Sequence, residues 1–309
     1  MRKPIEIREQ ITSELARRSR LAVPAFAGGV LYLLSTIVLG AVLRNLPTVG
    51  VLQGLEPILR GEANPAHSPR AAEVIYVSHQ AFGLITGTLL GSIAIGVLVL
   101  VLLLLIDASR FRGAKVWSTA GPLVLYGGIA VALLPLARQI LSAIETHNFA
   151  VGHDFSNHAI DAIKTSPVNV GMEIVYQLLG LAFAAGMITT TLNAQRVGLL
   201  PRWMGVVGTF SAIIISPLAA PFFGVELQII PAFWLVMMGI LLVGKWSKGD
   251  PPAWEAGEAR PWPSAARKRA ESRSGDGSAK LGADVAPEPN RPSASRAANK
   301  RRRKRKARG

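Results

Sequence analysis

The sequence predicts an all-α fold, a polytopic bundle of six transmembrane helices followed by a disordered C-terminal tail. Three observations carry this. Six long apolar stretches fall near residues 22–43, 79–106, 118–141, 170–192, 204–223 and 227–244, each close to the roughly 20 helical residues that cross a hydrocarbon core about 30 Å thick. The segments between them alternate between basic and nearly charge-balanced, as the bias of Lys and Arg toward the cytoplasmic side demands. Half of the 309 residues are hydrophobic and only 17% are charged, a composition beyond that of ordinary soluble domains. No cysteine is present, which excludes disulfides, thiolate metal sites and Cys nucleophiles.

Residues 1–20 form a basic N-terminal segment. Ile7, Ile11 and Leu15 recur at fourfold spacing opposite Glu6, Arg8, Glu9, Arg17 and Arg18, a narrow apolar face that fits an interfacial helix or a solvated extension of the first span. The first apolar stretch, Leu21 to Leu43, exceeds the roughly 7 to 15 residues of a signal-peptide core and has no small-residue cleavage site after it. It reads as an uncleaved span.

The second stretch carries Gly83, Gly87 and Gly91 at fourfold spacing with Thr88 and Ser92 beside them. That spacing makes a smooth groove, suited to close packing inside the bundle or to a homodimer, since small-xxx-small faces serve both. Arg110, Arg112 and Lys115 follow it. The third stretch has Gly121, Gly127, Gly128 and Ala132, and the fourth has Gly180, Ala182 and Gly186. Pro135, Pro217, Pro221 and Pro231 each remove a backbone donor, and all four fall in the outer halves of their spans. Arg196 and Arg202 join the basic side, with Trp117, Trp203 and Trp246 at its boundary as interfacial anchors. Both termini are then cytoplasmic. Residues 21–248 make one six-span domain.

The candidate site is a polar cluster near the outer ends. Arg138 and Gln139 come late in the third span, while Glu173, Tyr176 and Gln177 enter with the fourth and His79 with the second. Because consecutive spans run antiparallel, Arg138 and Glu173 are expected at similar depth, close enough to pair. Ionisable residues in a span are costly unless paired, snorkelled or hydrated, and they mark substrate or proton sites when they are not structural. The outer loop with His147, His153, His158, Glu145, Asp154 and Asp161 offers ligand residue types without the spacing of an established metal motif, so no metal or other cofactor is assigned.

Residues 249–309 are rich in Pro, Ala, Ser, Gly and Arg and poor in large apolar residues, a composition that cannot offset chain entropy. This basic tail is expected to be disordered and cytoplasmic. Its run Lys300, Arg301, Arg302, Arg303, Lys304, Arg305 and Lys306 suits anionic lipid headgroups. Nucleic acid is not favoured, because no aromatic residue interleaves the run to stack a base.

Leu200, Pro201, Arg202 and Trp203, followed by Gly205 and Gly208, and then Asp250 to Trp254 and Pro261, Trp262, Pro263 resemble an uncharacterised family of multi-pass bacterial membrane proteins frequent in actinobacteria. The resemblance covers the last two spans and the start of the tail. It implies a six-span protein of the cell membrane and carries over no activity or site residue. With no catalytic motif in the chain, a binding, sensing or scaffold role is expected, and the alternative is a small-solute or ion transporter using the outer cluster.

Overall fold

The computed structural model describes residues 4–47, 68, 70–152, 155–219, 225–244, 246 and 251–262. These fold as helices α1 (Pro4–Arg44), α2 (Ala71–His79), α3 (Ala81–Phe111), α4 (Ala120–Gly152), α5 (Asn157–Lys164), α6 (Pro167–Val197), α7 (Arg202–Ile215), α8 (Ile229–Val243) and the single turn α9 (Pro252–Ala256), with 3-10 turns at Pro217–Ala219 and Val225–Gln228. There is no strand among the described residues.

Four helices, α1, α3, α4 and α6, are long and apolar enough to cross a membrane. At 1.5 Å per residue, the 31 residues of α3 or α6 reach about 46 Å. The last two predicted spans are shorter than expected. Helices α7 and α8 have 14 and 15 residues, about 21 and 22 Å, against a hydrocarbon core of about 30 Å. The cause is local. Ser216 leaves the helix with extended backbone, and Pro217 next to it has no N–H to continue the ladder. The Pro217 ring is seated on α6 against Gly180, where a Cβ would overlap it, so the stop is held by packing as well as by backbone chemistry.

The helices close into a ring. Helix α1 packs on α3 and α8, α3 on α4, α4 on α6, α6 on α7 and α7 on α8, with α3 and α6 also touching across the centre. Small residues allow the close approaches. The groove of Gly83, Gly87 and Gly91 is filled by α1 of the same chain: a Cβ on Gly87 would lie 2.8 Å from Leu39 and one on Gly91 2.9 Å from Ser35, and Ser35 donates to the Gly87 carbonyl at 2.7 Å. These contacts use the stripe for packing within the chain. Leu98, Leu102, Leu105, Phe183, Met187 and Trp234 fill the ring. Leu33, Ile37, Leu100, Leu133 and Leu178 point outward and are exposed, the apolar outer surface that a lipid solvent requires.

The ring has two unlike ends. One is basic, with Arg17, Arg18, Arg110, Arg112, Arg196 and Arg202. At the other, α2 and α5 fold onto the protruding part of α4, and Ala71, Val74, Phe149 and Ile160 form a small separate core there; this is called the cap end below.

One expectation is corrected at the basic end, and another gains detail. Residues 4–20 belong to α1 without interruption; Arg8, Glu9, Leu15 and Arg17 are exposed, whereas Glu14 and Arg18 are 3% exposed. The basic end supplies partners for these two. The tail does not begin at residue 249. Residues 251–262 pack back on the ring, with Ala253 and Trp254 fully or nearly fully buried, and the first compact unit runs to Trp262. Main-chain groups make this contact as much as apolar side chains do, since Arg260 N–H donates to Val197 O at 2.9 Å. Gly198 permits it: its φ is +89°, and a side chain there would collide with the Arg260 carbonyl. The rest of the tail, including Lys300 to Lys306, lies outside the described residues, as do His153, Asp154 and Pro221.

Candidate functional site

The polar cluster is built on the proline of α4. Pro135 cannot donate to the carbonyl four residues before it, and the next carbonyl, Ala132 O, accepts a hydrogen bond from Ser92 of α3 at 2.6 Å. Arg138 stands one turn further toward the cap end. Its Nη1 donates to Glu173 Oε2, and Glu173 Oε1 accepts from Gln177 Nε2 at 2.7 Å. Arg138, Glu173 and Gln177 thus form one chain of contacts between α4 and α6. The pair is partly open, with 51% of the Arg138 side chain and 36% of the Glu173 side chain exposed.

Gln139 lines the same space as the pair. His79 does not join them: it is exposed at the end of α2, and its side chain has no hydrogen bond or ion pair among the described residues. The loop histidines do not converge either. His147 lies on α4 and His158 on α5, and no group of three His, Cys, Asp or Glu is placed to hold a metal among the described residues.

Two spaces meet at Arg138, and a third adjoins them. Under the cap, a cavity of about 400 Å³ is lined by Glu73, Arg138, Ser142, Glu145 and Asn169 among others. Asn169 donates to Glu145 Oε2 at 3.0 Å. Arg138 and Ser142 also line a second space of about 350 Å³ with Glu173 and Tyr176. That one shares Thr88, Pro135 and Tyr176 with a third, of about 320 Å³, which reaches into the ring among α1, α3, α4 and α6. Here the wall includes Tyr32, Ser35, Thr36, Ser92 and Gln228. Tyr32 donates to Gln228 Oε1 at 2.7 Å. Ile215, the last residue of α7, and Gln228, just before α8, line this third cavity, so the short reach of those two helices leaves room for it.

Below Ile95 the passage ends. Leu98, Leu102, Phe183, Met187 and Trp234 are at most 3% exposed and make an apolar plug, and the basic end beyond is closed by a second polar cluster. There Arg112 Nη2 meets Glu14 Oε2 at 2.8 Å, and Arg18 donates to Leu241 O and Leu242 O at 2.7 and 3.0 Å, capping the end of α8. Both guanidinium groups lie over the Trp254 ring, each 5.3 Å from its centre, and Trp254 donates to Leu199 O at 3.1 Å.

The charged pair is legible in the sequence, whereas the hydroxyl wall and the Glu14 cluster are not. A partial signal for the wall was present in Thr88 and Ser92 beside the glycine stripe. Glu14 gave none, because its partner is 98 residues away. Comparison with known proteins finds no matching family model, no similar curated protein and no similar solved structure.

Proposed function

We propose that the chain is a multi-pass protein of a bacterial cell membrane, with both termini cytoplasmic and a solute-binding cavity that opens to the outer face at the cap end. A binding or sensing role fits best. The observation that carries it is the series of adjoining cavities that runs from Arg138 to Tyr32 and ends on the apolar plug at Leu98, Phe183 and Trp234.

Orientation follows from charge. Arg17, Arg18, Arg110, Arg112, Arg196 and Arg202 gather at one end, and such residues stay on the cytoplasmic side. The lengths of α7 and α8 leave this unaffected. Whether they cross or dip in and return, they form a pair, so the chain after α8 comes back to the side on which α7 began. The tail's Lys300 to Lys306 would then face the inner leaflet, where anionic headgroups attract each such charge by about 1 kcal/mol. Transport of a small solute or ion is the second reading, favoured by the depth of the passage and opposed by the plug and the Glu14, Arg112, Arg18 and Trp254 closure below it.

The chain has no cysteine, so single cysteines report access directly. Ser92→Cys is expected to react with a small membrane-impermeant methanethiosulfonate added outside whole cells, while Leu102→Cys, fully buried in the plug, stays unmodified. Failure of Ser92→Cys to react from outside would overturn the outward-open cavity, and its reaction only from the cytoplasmic side would reverse the orientation.

A further inference from the structure

We infer that the ring cavity selects a small organic ammonium ion bearing N–H donors, an inference that rests on the outward-open cavity proposed above and names its ligand class. The argument starts from the direction of each hydroxyl. A hydroxyl that meets a carbonyl oxygen must donate, because a carbonyl has no proton to give. Ser35 bonds Gly87 O at 2.7 Å, Thr36 bonds Tyr32 O at 3.0 Å and Thr88 bonds Leu84 O at 2.8 Å. Ser92 lies within reach of both Thr88 O and Ala132 O, at 2.9 and 2.6 Å. The Tyr32 hydroxyl is committed to Gln228 Oε1 at 2.7 Å.

Each of these groups has therefore spent its one proton on protein, and what it keeps for a ligand is lone pairs. The remaining donors are few: the Gln228 amide and the hydroxyl of Tyr176, which has no hydrogen-bond partner among the described residues. A wall rich in acceptors and poor in donors fits a guest that is rich in donors.

Charge then separates the two guests of that kind, a neutral polyol and a protonated amine. The approach to the cavity carries Glu73, Glu145 and Glu173 against Arg138 alone. Asn169 supports Glu145 with a neutral amide, so the surplus is negative, and fields of one sign in a narrow entry concentrate counter-ions. Tyr32 and Tyr176 are both in the wall, and aromatic rings attract a cation. The cavity of about 320 Å³ has the volume of roughly ten waters, which admits an amine of a few carbons. Leu39, Leu43, Ile95, Val131, Pro135 and Ile215 complete the wall and would take its alkyl part. A primary ammonium group brings three donors and a positive charge, and it meets both conditions at once.

Three probes of similar size separate the two conditions: butylammonium with charge and donors, butyltrimethylammonium with charge alone, and 1,2,4-butanetriol with donors alone. The readout is the rate at which a small neutral thiol reagent modifies Ser92→Cys in the purified full-length protein. Butylammonium at saturation is expected to slow labelling by about tenfold, by occupancy of the site, with the other two probes leaving the rate within about twofold. The same protection should weaken severalfold when Tyr176→Phe is added, a change that keeps the ring and removes a hydroxyl whose lone pairs can accept from the ammonium. Equal protection by butyltrimethylammonium would overturn the donor argument, and equal protection by the triol would overturn the charge argument. No protection by any probe, in a protein whose Ser92→Cys is labelled, overturns the inference and leaves the cavity standing. Loss of labelling itself would instead overturn the cavity.

Discussion

Glu14 and Arg112, 98 residues apart in the chain, meet at 2.8 Å with side chains only 4% and 0% exposed. Arg112 also donates to Ala253 O at 2.9 Å and to Ala108 O at 2.8 Å, so one guanidinium ties α1, α3 and the segment after α8 together. A buried pair of this kind adds little over a well-packed apolar pair, but removing one partner leaves a buried charge uncompensated, at a cost of about 3 to 5 kcal/mol. Glu14→Leu and Arg112→Met are each expected to lower the thermal midpoint of the purified protein in detergent, and the double variant to lose clearly less than their sum. Tryptophan fluorescence follows the transition. Losses that simply add would mean that the two residues stabilise the bundle independently.

Trp254 fixes the same junction from the other side. It is 2% exposed and has the Arg18 and Arg112 guanidinium groups over its ring, contacts worth about 2 kcal/mol each when desolvated. Truncation of a large buried aromatic costs about 3 to 5 kcal/mol. Trp254→Ala is expected to destabilise by that amount, and Trp254→Phe by less, since it keeps an aromatic face and loses the bond to Leu199 O. An equal loss from both would assign the effect to that hydrogen bond and not to the ring.

These two residues also mark the limit of what the sequence reveals. Long apolar runs announce α1, α3, α4 and α6, because length and hydropathy suffice once lipid is the solvent. Arg138 and Glu173 could be brought together from sequence, since antiparallel spans convert position along the chain into depth. The early stop of α7 was less visible: an apolar window does not register that Pro217 docks on Gly180. Glu14 carries no local signal, since its partner is 98 residues away, and the polar composition around Trp254 does not announce its burial. Ser35, Thr36, Thr88 and Ser92 were single hydroxyls in separate spans, a common feature of membrane helices, and only the ring closure turns them toward one space.

The end of the first compact unit gives a sharper test of the chain's organisation. Contacts with the ring continue through Arg260, whose N–H reaches Val197 O, and the first compact unit closes at Trp262. A chain ending after residue 262 is expected to keep the full-length thermal midpoint within about 2 °C, whereas one ending after residue 250 loses the Trp254 and Arg260 contacts and unfolds several degrees lower, as a loss of a few kcal/mol implies. Equal midpoints for the two truncations would show that residues 251–262 contribute no stability.

Glycines in the ring differ in what surrounds them. A Cβ on Gly127 would lie 2.7 Å from Leu179 O and 2.8 Å from Phe183 N, and backbone cannot move aside as a flexible side chain can. Gly127→Ala is expected to force α4 and α6 apart at about 1 to 3 kcal/mol. At Gly96 nothing lies within 4 Å of the added carbon, and the better helix propensity of alanine leaves Gly96→Ala neutral or stabilised by up to about 1 kcal/mol. Midpoints of the two variants compared with the parent decide this, and a loss at position 96 as large as that at 127 would contradict the packing described.

Arg138 and Glu173 behave differently from the buried pair at the basic end because both remain partly open, at 51% and 36%. Screening keeps the worth of such a pair below about 1 kcal/mol, so stability is a poor reporter of its role. Its position between the cap cavity and the ring cavity is the better one. Glu173→Gln leaves Gln177 a carbonyl to bond, removes the charge that faces Arg138 and shifts the lining of the entry toward positive. Labelling of Ser92→Cys by a cationic methanethiosulfonate is then expected to slow severalfold relative to an anionic one, and Arg138→Gln to change that ratio in the opposite direction, with thermal midpoints unchanged within about 2 °C. If the ratio of the two rates is the same in both variants and the parent, the pair does not govern entry, and it serves only to hold α4 against α6.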